Sequence, residues 1–196
     1  MADLMIDYIT SLDGFGSAEG WPGLWGMGGP DYFAFLAEDG REEYTTLLGA
    51  TTYRLFAGFA ETGEEEMAEV TARPKVVFSS TLREPLAWAN TTLVAGDAVE
   101  AVREMKQGDD TPLRTIGSPS LARALLVAGL VDRVRVVVFP VVNGATGGDR
   151  LYDGWPDVRL ELLHSRTLDG ALTLLEFAPT VLDGPPGTAA GSVGGV

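Results

Sequence analysis

The chain has 196 residues and a formal net charge of −14, with no cysteine and one histidine, His164. So acidic a surface repels phosphate backbones, which argues against a nucleic-acid partner. The lack of cysteine excludes disulfides, thiolate metal sites and a cysteine nucleophile, and a single histidine excludes a metal site built on several histidines. An all-carboxylate site is then the only metal option, and we expect a protein without a bound metal.

The N-terminal sequence MADLMIDYIT has no basic region followed by an apolar one, so it does not resemble a signal peptide. No apolar run reaches the ~20 residues that a membrane-spanning helix needs. We therefore expect a cytoplasmic protein without a membrane partner. The length and the hydrophobic content of 45% fit one globular domain.

Predicted strands and helices alternate along most of the chain. Short apolar runs with β-branched or aromatic residues indicate strands, and capped amphipathic runs indicate helices. We predict helices from Pro30 to a stop at Gly40, and over Ala50–Phe59, Asp97–Lys106 and Leu121–Leu130. We predict strands over Leu4–Thr10, Tyr44–Leu48, Lys75–Ser79, Leu93–Gly96, Leu113–Ile116, Val134–Val142, Leu160–Arg166 and Leu172–Phe177.

The order of these elements predicts the fold class. Alternating strands and helices are typical of parallel βα units, and the last two strands have only the turn Asp169-Gly170 between them. We therefore predict an α/β domain over residues 1–180, with a mixed, mostly parallel sheet, flanking helices and an antiparallel C-terminal hairpin. Residues 181–196 are rich in Gly, Pro and Ala and are predicted to form a flexible tail.

The segment Phe15–Gly29 is too rich in glycine for a helix or strand, yet it carries Trp21 and Trp25. Long loops in small domains usually serve a function. The two tryptophans fit a lid over a site and a place in the core equally well. Asp31 follows at the start of a helix, where a carboxylate either caps the helix or faces a pocket and orients or protonates a substrate.

Two turns combine a strand end, a glycine and a helix start, at Gly49-Ala50-Thr51-Thr52 and Gly117-Ser118-Pro119-Ser120. The free N–H groups of a first helical turn and the helix dipole favour an anion there. Helix capping alone would also explain these residues. Ser79-Ser80-Thr81, after another strand, offers three hydroxyls to a phosphate or to a turn. Neither Rossmann nor P-loop spacing is present.

Taken in order, these motifs resemble the dihydrofolate-reductase-like family, in the branch of the C-terminal domain of the riboflavin-biosynthesis reductase, RibD. The resemblance extends over roughly Leu4–Pro179. The start SLDG, with Pro140, Gly144 and Leu151, favours this branch over dihydrofolate reductase itself. The matching motifs are SLDG at residues 11–14, LLGATTY at 47–53, KVVFSSTL at 75–82, IGSPSLARALL at 116–126, VNGATGGDRLY at 142–152 and LELLHSRTLDGALTLLEF at 160–177.

This resemblance implies an oxidoreductase with NADPH lying across the strand ends. Hydride would pass to a small heterocyclic or conjugated substrate, and Asp31 would be the catalytic residue that anchors the substrate or supplies a proton. The substrate-binding residues would be Trp21, Trp25, Asp31 and Phe35. The cofactor-binding residues would be Asp13, Gly14, Gly49, Ala50, Thr51, Thr52, Ser79, Ser80, Thr81, Ile116, Gly117, Ser118, Pro119, Ser120 and Leu121.

Two positions depart from the family. Many relatives have an arginine directly after the glycine of the LLG motif and another at the position of Ser80, whereas this chain has Ala50 and Ser80. Loss of an arginine–phosphate contact weakens a preference for NADPH, so NADH stays possible. Two other functions also stay open: a non-catalytic or repurposed protein that binds a nucleotide or flavin on the same fold, and dihydrofolate reductase itself.

The C-terminal strands predict a homodimer. Leu162 and Leu163 are adjacent in LELLHSR, so apolar side chains fall on both faces of this strand. One face packs on the domain, and the other needs cover from a helix of the same chain or from a second copy. The resemblance implies pairing, and we therefore expect the second copy.

Overall fold

The computed structural model describes residues 1–20, 24–62 and 67–187, and within them it has ten strands and five α-helices. The helices are α1 Pro30–Asp39, α2 Ala50–Thr62, α3 Ala68–Ala72, α4 Ala98–Gly108 and α5 Pro119–Val127. The strands are β1 Leu4–Ser11, β2 Phe15–Ala18, β3 Thr45–Gly49, β4 Lys75–Phe78, β5 Thr91–Val94, β6 Leu113–Ile116, β7 Arg133–Phe139, β8 Gly147–Arg150, β9 Val158–Leu168 and β10 Leu172–Val181.

Eight strands form one mixed sheet in the order β5-β4-β3-β6-β1-β7-β10-β9. The first six are parallel, while β10 runs antiparallel to both β7 and β9. Asp169 and Gly170, in the turn between the paired residues Leu168 and Leu172, both have positive φ, which tight hairpin turns favour. This topology confirms the predicted α/β fold class and its antiparallel C-terminal hairpin.

Helices cover both faces of the sheet, and alternate strand residues pack on opposite sides. Leu4 and Ile6 of β1 pack in a core cluster with residues of α4 and α5, such as Val102 and Leu125. On the other face α1, α2 and α3 contribute to two smaller clusters, with Tyr32 of α1 packed near the carboxyl end of β7. None of the described helices is long and apolar enough to cross a membrane.

The glycine-rich segment differs from the prediction, because it contains strand β2. This strand pairs antiparallel with β8, which we also did not predict. A side chain at Gly147 would lie 2.5 Å from the ring of Phe15, and one at Gly16 would lie 2.8 Å from Leu151. These glycines therefore allow the two short strands to pack closely. Because glycine has a low strand propensity, neither strand can be predicted from the sequence.

Two further boundaries differ from the predictions for local reasons. Strand β7 ends at Phe139 rather than Val142, because Pro140 has no N–H with which to continue the ladder. Strand β10 continues to Val181, one residue past the predicted domain boundary. Residues 188–196 of the predicted tail lie outside the described part of the chain, so the tail stays a prediction.

Buried ion pairs tie α1 to the amino ends of the central strands. The guanidinium of Arg135 on β7 lies 2.6 Å from carboxylate oxygens of both Asp7 and Asp39, and Arg114 on β6 also pairs with Asp39. Burial disfavours the charged form of Asp39, but hydrogen bonds and charges from Arg135 and Arg114 outweigh it and lower its pKa. This cluster fixes the last residue of α1, Asp39, near the amino ends of the strands. The predicted site lies at the opposite, carboxyl ends.

Lys75, the first residue of β4, is 1% exposed. Its Nζ donates hydrogen bonds of 2.7 to 2.9 Å to the carbonyls of Val70, Thr71 and Arg73. Burial and the charge of Arg73 lower the pKa of Lys75 to about 8. The ammonium group satisfies carbonyls at the end of α3, so its role in this fold is structural.

The hairpin of β9 and β10 forms one edge of the sheet, and its outer strand is exposed. Leu160 and Leu162 pair with Pro179 and Phe177 of β10, which places these four side chains on one face. Leu160 is 42% exposed and Leu162 is 54% exposed. Within the described residues no helix covers this apolar face. The described residues therefore do not support the alternative in which a helix of the same chain covers it.

Candidate functional site

Three polar turns lie side by side at the carboxyl ends of the parallel strands. They follow β6, β3 and β4, which are neighbours in the sheet. In a parallel sheet the strands all end at one edge, which is where ligands of such folds bind. The turns are Gly117–Ser120, Gly49–Thr52 and Ser79–Thr81, and the structure brings all three predicted groups together.

Hydrogen bonds join the turns after β3 and β6 directly. The amide of Gly49 donates to Oγ of Ser118 at 2.9 Å, and the amide of Ser118 donates to Oγ1 of Thr52 at 3.1 Å. The Ser118 hydroxyl also donates to the carbonyl of Ile116 at 3.1 Å. The hydroxyl oxygens of Ser118 and Thr52 thus accept hydrogen bonds within the protein, where they hold the two turns at a fixed separation.

The starts of α2 and α5 therefore lie next to each other. Gly117 and Ser118 both have positive φ, of 54° and 58°, and Ser118 makes no side-chain capping bond to α5. Ala50 and Pro119 are half-buried, whereas Thr51 and Ser120 are exposed at the two helix starts. Two helix dipoles and the N–H groups of the first turns favour an anionic group between them.

The third turn is shaped by Ser79. Its Oγ accepts hydrogen bonds from the amides of Thr81 at 3.1 Å and Leu82 at 3.0 Å. Ser79 therefore closes the turn, as the capping interpretation of the sequence expects. Ser80 and Thr81 are exposed, so their hydroxyls remain accessible to a ligand at this edge of the sheet.

Asp13 connects the end of β1 with the segment after β7. Its carboxylate accepts hydrogen bonds from the Ser11 hydroxyl at 2.6 Å and from the amides of Asn143 at 3.1 Å and Gly144 at 3.0 Å. The Ser11 bond, followed by that of Gly144, lowers the pKa of Asp13 to about 2. Asp13 thus positions the loop beside the site, and Gly14 follows it with a φ of 87°.

Asn143 also holds the tryptophan-bearing loop, and the sequence analysis did not identify it. Its side-chain oxygen accepts a hydrogen bond from Nε1 of Trp25 at 2.9 Å, and its side-chain amide donates to the carbonyl of Ser17 at 3.3 Å. The ring of Trp25 packs 5.2 Å from that of Phe139 at the end of β7. Trp25 therefore belongs to both the loop and the core. Trp21 lies outside the described residues.

Asp31 lies at the same edge of the sheet but next to the hairpin turn. The carboxylate of Asp169 accepts bonds from the amides of Asp31 at 2.8 Å and Tyr32 at 3.0 Å, and it thereby caps α1. In return, Oδ2 of Asp31 accepts from the amide of Asp169 at 3.1 Å. Asp31 is exposed and has this structural contact, and its catalytic role stays a prediction.

Phe35 is not brought together with the other predicted site residues. It lies one turn further along α1, 5.0 Å below the guanidinium of Arg135. There it lines an open cavity of about 520 Å³ at the amino ends of β1, β6 and β7. His164 lines the same cavity from the exposed strand β9.

The described residues contain no group of three or more His, Cys, Asp or Glu side chains that could hold a metal ion. The polar atoms at the three turns are instead backbone amides and hydroxyls. Such donors suit phosphate oxygens better than a cation.

Solved structures with this fold include several reductases. A putative riboflavin biosynthesis protein from Shewanella sp. PV-4 superposes with a TM-score of 0.68 at 19% identity, over 92% of this chain and 99% of that one. A dihydrofolate reductase from Enterococcus faecalis, complexed with NADP(H), superposes with a TM-score of 0.60 at 13% identity, over 90% and 96% of the two chains.

The bifunctional deaminase and 5-amino-6-(5-phosphoribosylamino)uracil reductase of Thermotoga maritima superposes with a TM-score of 0.64 at 16% identity, and the match covers 91% of this chain but 57% of that one. In sequence, the uncharacterized protein YyaP of Bacillus subtilis is 25% identical over 183 residues, which are 89% of this chain and 93% of YyaP. The family model of the RibD C-terminal domain matches residues 2–174. The chain therefore belongs to the RibD C-terminal domain family.

Proposed function

We propose that this protein is an NADPH-dependent reductase that transfers hydride to a small heterocyclic or conjugated substrate. The observation that carries the proposal is the pair of helix starts joined by the Gly49–Ser118 hydrogen bond, in a chain of the RibD C-terminal domain family. Two dipoles and a set of backbone amides at one edge of the sheet match the pyrophosphate of a dinucleotide.

The backbone at the two helix starts fits a pyrophosphate group. Gly117 has a φ of 54°, at which a side chain would be strained, so glycine allows the turn that presents the backbone amides at the start of α5. When bound, NADPH would supply the hydride, and the protein would contribute binding, orientation and exclusion of water.

In this proposal the other residues have separate tasks. Gly49–Thr52 and Gly117–Ser120 hold the pyrophosphate, and Ser79–Thr81 lie towards the adenosine. The loop that Trp25 and Asn143 attach to the end of β7 covers the nicotinamide end of the site. Asp31 anchors the substrate or supplies the proton that a reduced double bond needs.

Titration of the protein with NADPH and NADH, followed by nucleotide fluorescence, tests this function. We expect binding of at least one of the two below millimolar concentration. If neither binds, and the purified protein instead carries a flavin or another small molecule, the alternative of a repurposed ligand-binding protein is favoured. That alternative is motivated by Ala50 and Ser80, which replace two arginines of many relatives.

The role of Asp31 has its own test. Asp31→Asn keeps an oxygen that can accept the amide of Asp169 but removes the acid, whereas Asp31→Ala removes both. A catalytic role predicts that both variants lose reductase activity and that only the alanine variant loses stability. Full activity of Asp31→Asn would show that Asp31 has no catalytic role and only accepts the hydrogen bond from the Asp169 amide. Tight methotrexate binding that Asp31→Asn abolishes would instead favour dihydrofolate reductase.

We further propose that the protein is a cytoplasmic homodimer. The exposed apolar face of the hairpin supports pairing, because Leu160, Leu162, Phe177 and Pro179 lie together on a sheet edge that the described helices do not cover. Sedimentation at micromolar concentration distinguishes a dimer from a 20.8 kDa monomer. A monomer at all salt concentrations would contradict the pairing.

A further inference from the structure

The two faces of the sheet are covered differently at its centre. On the face of α4 and α5, one core cluster extends across β3, β6, β1 and β7. On the opposite face the core is divided into two clusters, one under α1 and one under α2 and α3. Ile9 of β1 packs against the first cluster and Ile116 of β6 against the second, and both are half-buried. The neighbouring strands β1 and β6 therefore form the floor of a groove between the helices, which we call the α1–α2 groove.

The α1 wall of this groove is apolar. Gly40 follows α1 with helical backbone angles, and a side chain there would collide with Glu69 of α3, so this side of the helix faces α2 and α3. Phe33 and Leu36 lie seven and four residues before Gly40, which places them on the same side. Phe33 is 45% exposed and Leu36 is 39% exposed. The helix thus presents two large apolar side chains to the groove.

The α2 wall is aromatic. Thr52 contacts the turn after β6, whereas Arg54 contacts the turn after β4, so these two residues mark opposite sides of α2. Phe56 and Phe59 follow Thr52 by four and seven residues and therefore lie on its side, towards β6 and the groove. Their rings are 6.1 Å apart in an edge-to-face arrangement, and Phe59 is 42% exposed. Phenyl rings therefore stand on both walls.

The groove offers no unpaired cation among the described residues. Helix α1 has three carboxylates and neither Lys nor Arg, and the single basic residue of α2, Arg54, is on the far side of that helix. At the amino-end limit of the groove, Arg114 and Arg135 are already paired with Asp39 and Asp7. A phosphate ester in the groove would lose hydration without gaining an opposite charge, whereas an uncharged ring would bury apolar surface.

The other end of the groove opens at the proposed cofactor site. Thr52 belongs to the turn that begins α2, beside the proposed pyrophosphate position. A side chain at Gly28 would lie 2.9 Å from Leu24 and 3.0 Å from the ring of Phe33, so the loop that carries Trp25 borders the α1 wall. A ring held in the groove would therefore lie between this loop and the turns that bind the cofactor in our proposal.

We propose that the α1–α2 groove binds an uncharged aromatic or conjugated ring, and that the substrate of this protein carries no phosphate group. This inference rests on the proposed reductase function and narrows its substrate class. Such a substrate differs from the phosphoribosylamino compound after which the Thermotoga maritima reductase is named. The rings of Phe33 and Phe59 contact the substrate from the two walls.

The test uses 1-naphthol and 1-naphthyl phosphate, which share one ring system and differ in the phosphate group. Calorimetric titration at pH 7, where 1-naphthol is uncharged, gives the affinity of the full-length protein for each probe. The variants are Phe33→Ala, Phe59→Ala, the double variant and Phe59→Arg. Val127→Ala is the matched control, because Val127 is 61% exposed on α5, on the opposite face of the sheet. Thermal unfolding checks that every variant is folded.

We expect the wild type to bind 1-naphthol roughly tenfold or more tightly than 1-naphthyl phosphate, because the phosphate finds no counter-charge. Each alanine variant should bind 1-naphthol roughly fivefold more weakly, and the double variant more weakly still, because apolar contact area is lost. Phe59→Arg should raise the affinity for 1-naphthyl phosphate, because its guanidinium supplies the missing charge. Val127→Ala should bind both probes as the wild type does.

Three results would overturn the inference: no binding of 1-naphthol, equal or tighter binding of 1-naphthyl phosphate by the wild type, or an unchanged affinity for 1-naphthol in the double variant. Titration with NADPH and NADH in parallel separates this failure from that of the reductase proposal. Nucleotide binding without the expected preference for 1-naphthol overturns the groove inference alone. The expected probe binding without affinity for either nucleotide overturns the reductase proposal and leaves the groove as a site for an uncharged ring.

Discussion

The amide of Gly49 donates a hydrogen bond of 2.9 Å to the hydroxyl of Ser118, which lies 69 residues later in the chain. The same hydroxyl donates to the carbonyl of Ile116, so a single buried serine connects the strand end, the turn and the neighbouring helix start. The separation of the two helix starts, and with it the shape of the proposed anion site, therefore depends on Ser118.

Ser118→Ala is expected to lower both stability and dinucleotide affinity. The variant leaves the partly buried amide of Gly49 without its acceptor, which costs about 1–3 kcal/mol of unfolding free energy. Urea unfolding measures the stability and nucleotide fluorescence measures the affinity. Thr111→Ala, in the exposed loop before β6, serves as the control for loss of a hydroxyl. An unchanged affinity in Ser118→Ala would show that the helix starts keep their separation without this bond.

Asp169→Ala is expected to destabilise α1, although Asp169 lies 138 residues away from the start of that helix. The variant removes two acceptors from the first turn, and loss of an N-terminal cap costs about 0.5–2 kcal/mol. Thermal unfolding gives the loss, with Asp153→Ala, at an exposed turn position, as the control. Equal stability of the two variants would contradict a capping role for Asp169.

Asp39→Asn is expected to be destabilising in a pH-dependent way. Because the pKa of Asp39 in the folded protein lies below its ordinary value of 3.8, the carboxylate contributes stability above pH 3.8 that is lost as the pH falls through the folded pKa. At pH 7 the variant breaks a buried ion pair, which costs about 3–5 kcal/mol.

Urea unfolding at pH 7 and at pH 3 measures the difference in unfolding free energy between the wild type and Asp39→Asn. It should shrink at the lower pH, because below pH 3.8 the unfolded chain binds a proton at Asp39 more readily than the folded protein does. Glu42→Gln is the control, because Glu42 is exposed and lies 3.9 Å from Arg114, a distance at which an exposed pair contributes less than about 1 kcal/mol. If the loss of stability in Asp39→Asn does not depend on pH, the carboxylate charge is excluded as its cause.

Asn143→Ala is expected to loosen the loop that carries Trp25. The variant removes the acceptor of the indole N–H and the donor to the Ser17 carbonyl, while the amides at positions 143 and 144 keep their bonds to Asp13. Hydrogen exchange should become faster in β2 and unchanged in the central strand β6. Trp25→Phe loses the indole N–H and part of the ring but keeps the bond from Asn143 to the Ser17 carbonyl, so it should produce a smaller increase. Equal hydrogen-exchange rates in β2 of the wild type and of Asn143→Ala would contradict the role of Asn143 in holding the loop.

The sequence by itself determined the fold class of this protein and most of its helices and strands, but not β2, β8 or α3. Asp97, the first residue of the predicted helix, caps α4 by accepting from the amides of Val99 and Glu100, and Asp169-Gly170 forms the predicted hairpin turn. These features were predictable because cap and turn residues act on neighbours within a few positions, and strand and helix periodicities repeat within one element. The polar turns at 49–52, 79–81 and 117–120 were identified for the same reason.

Only the tertiary structure decided which of these residues meet. Asp169 caps α1, Asp13 and Asn143 hold the loop beside the site, and Arg54 reaches Thr81 from another element. No local pattern marks such partners, because they are set by the order β4-β3-β6-β1-β7-β10 in the sheet and by the direction of each strand. A side chain's own sequence neighbourhood fixes its chemistry and local conformation, whereas its distant partner is fixed by the packing of whole elements.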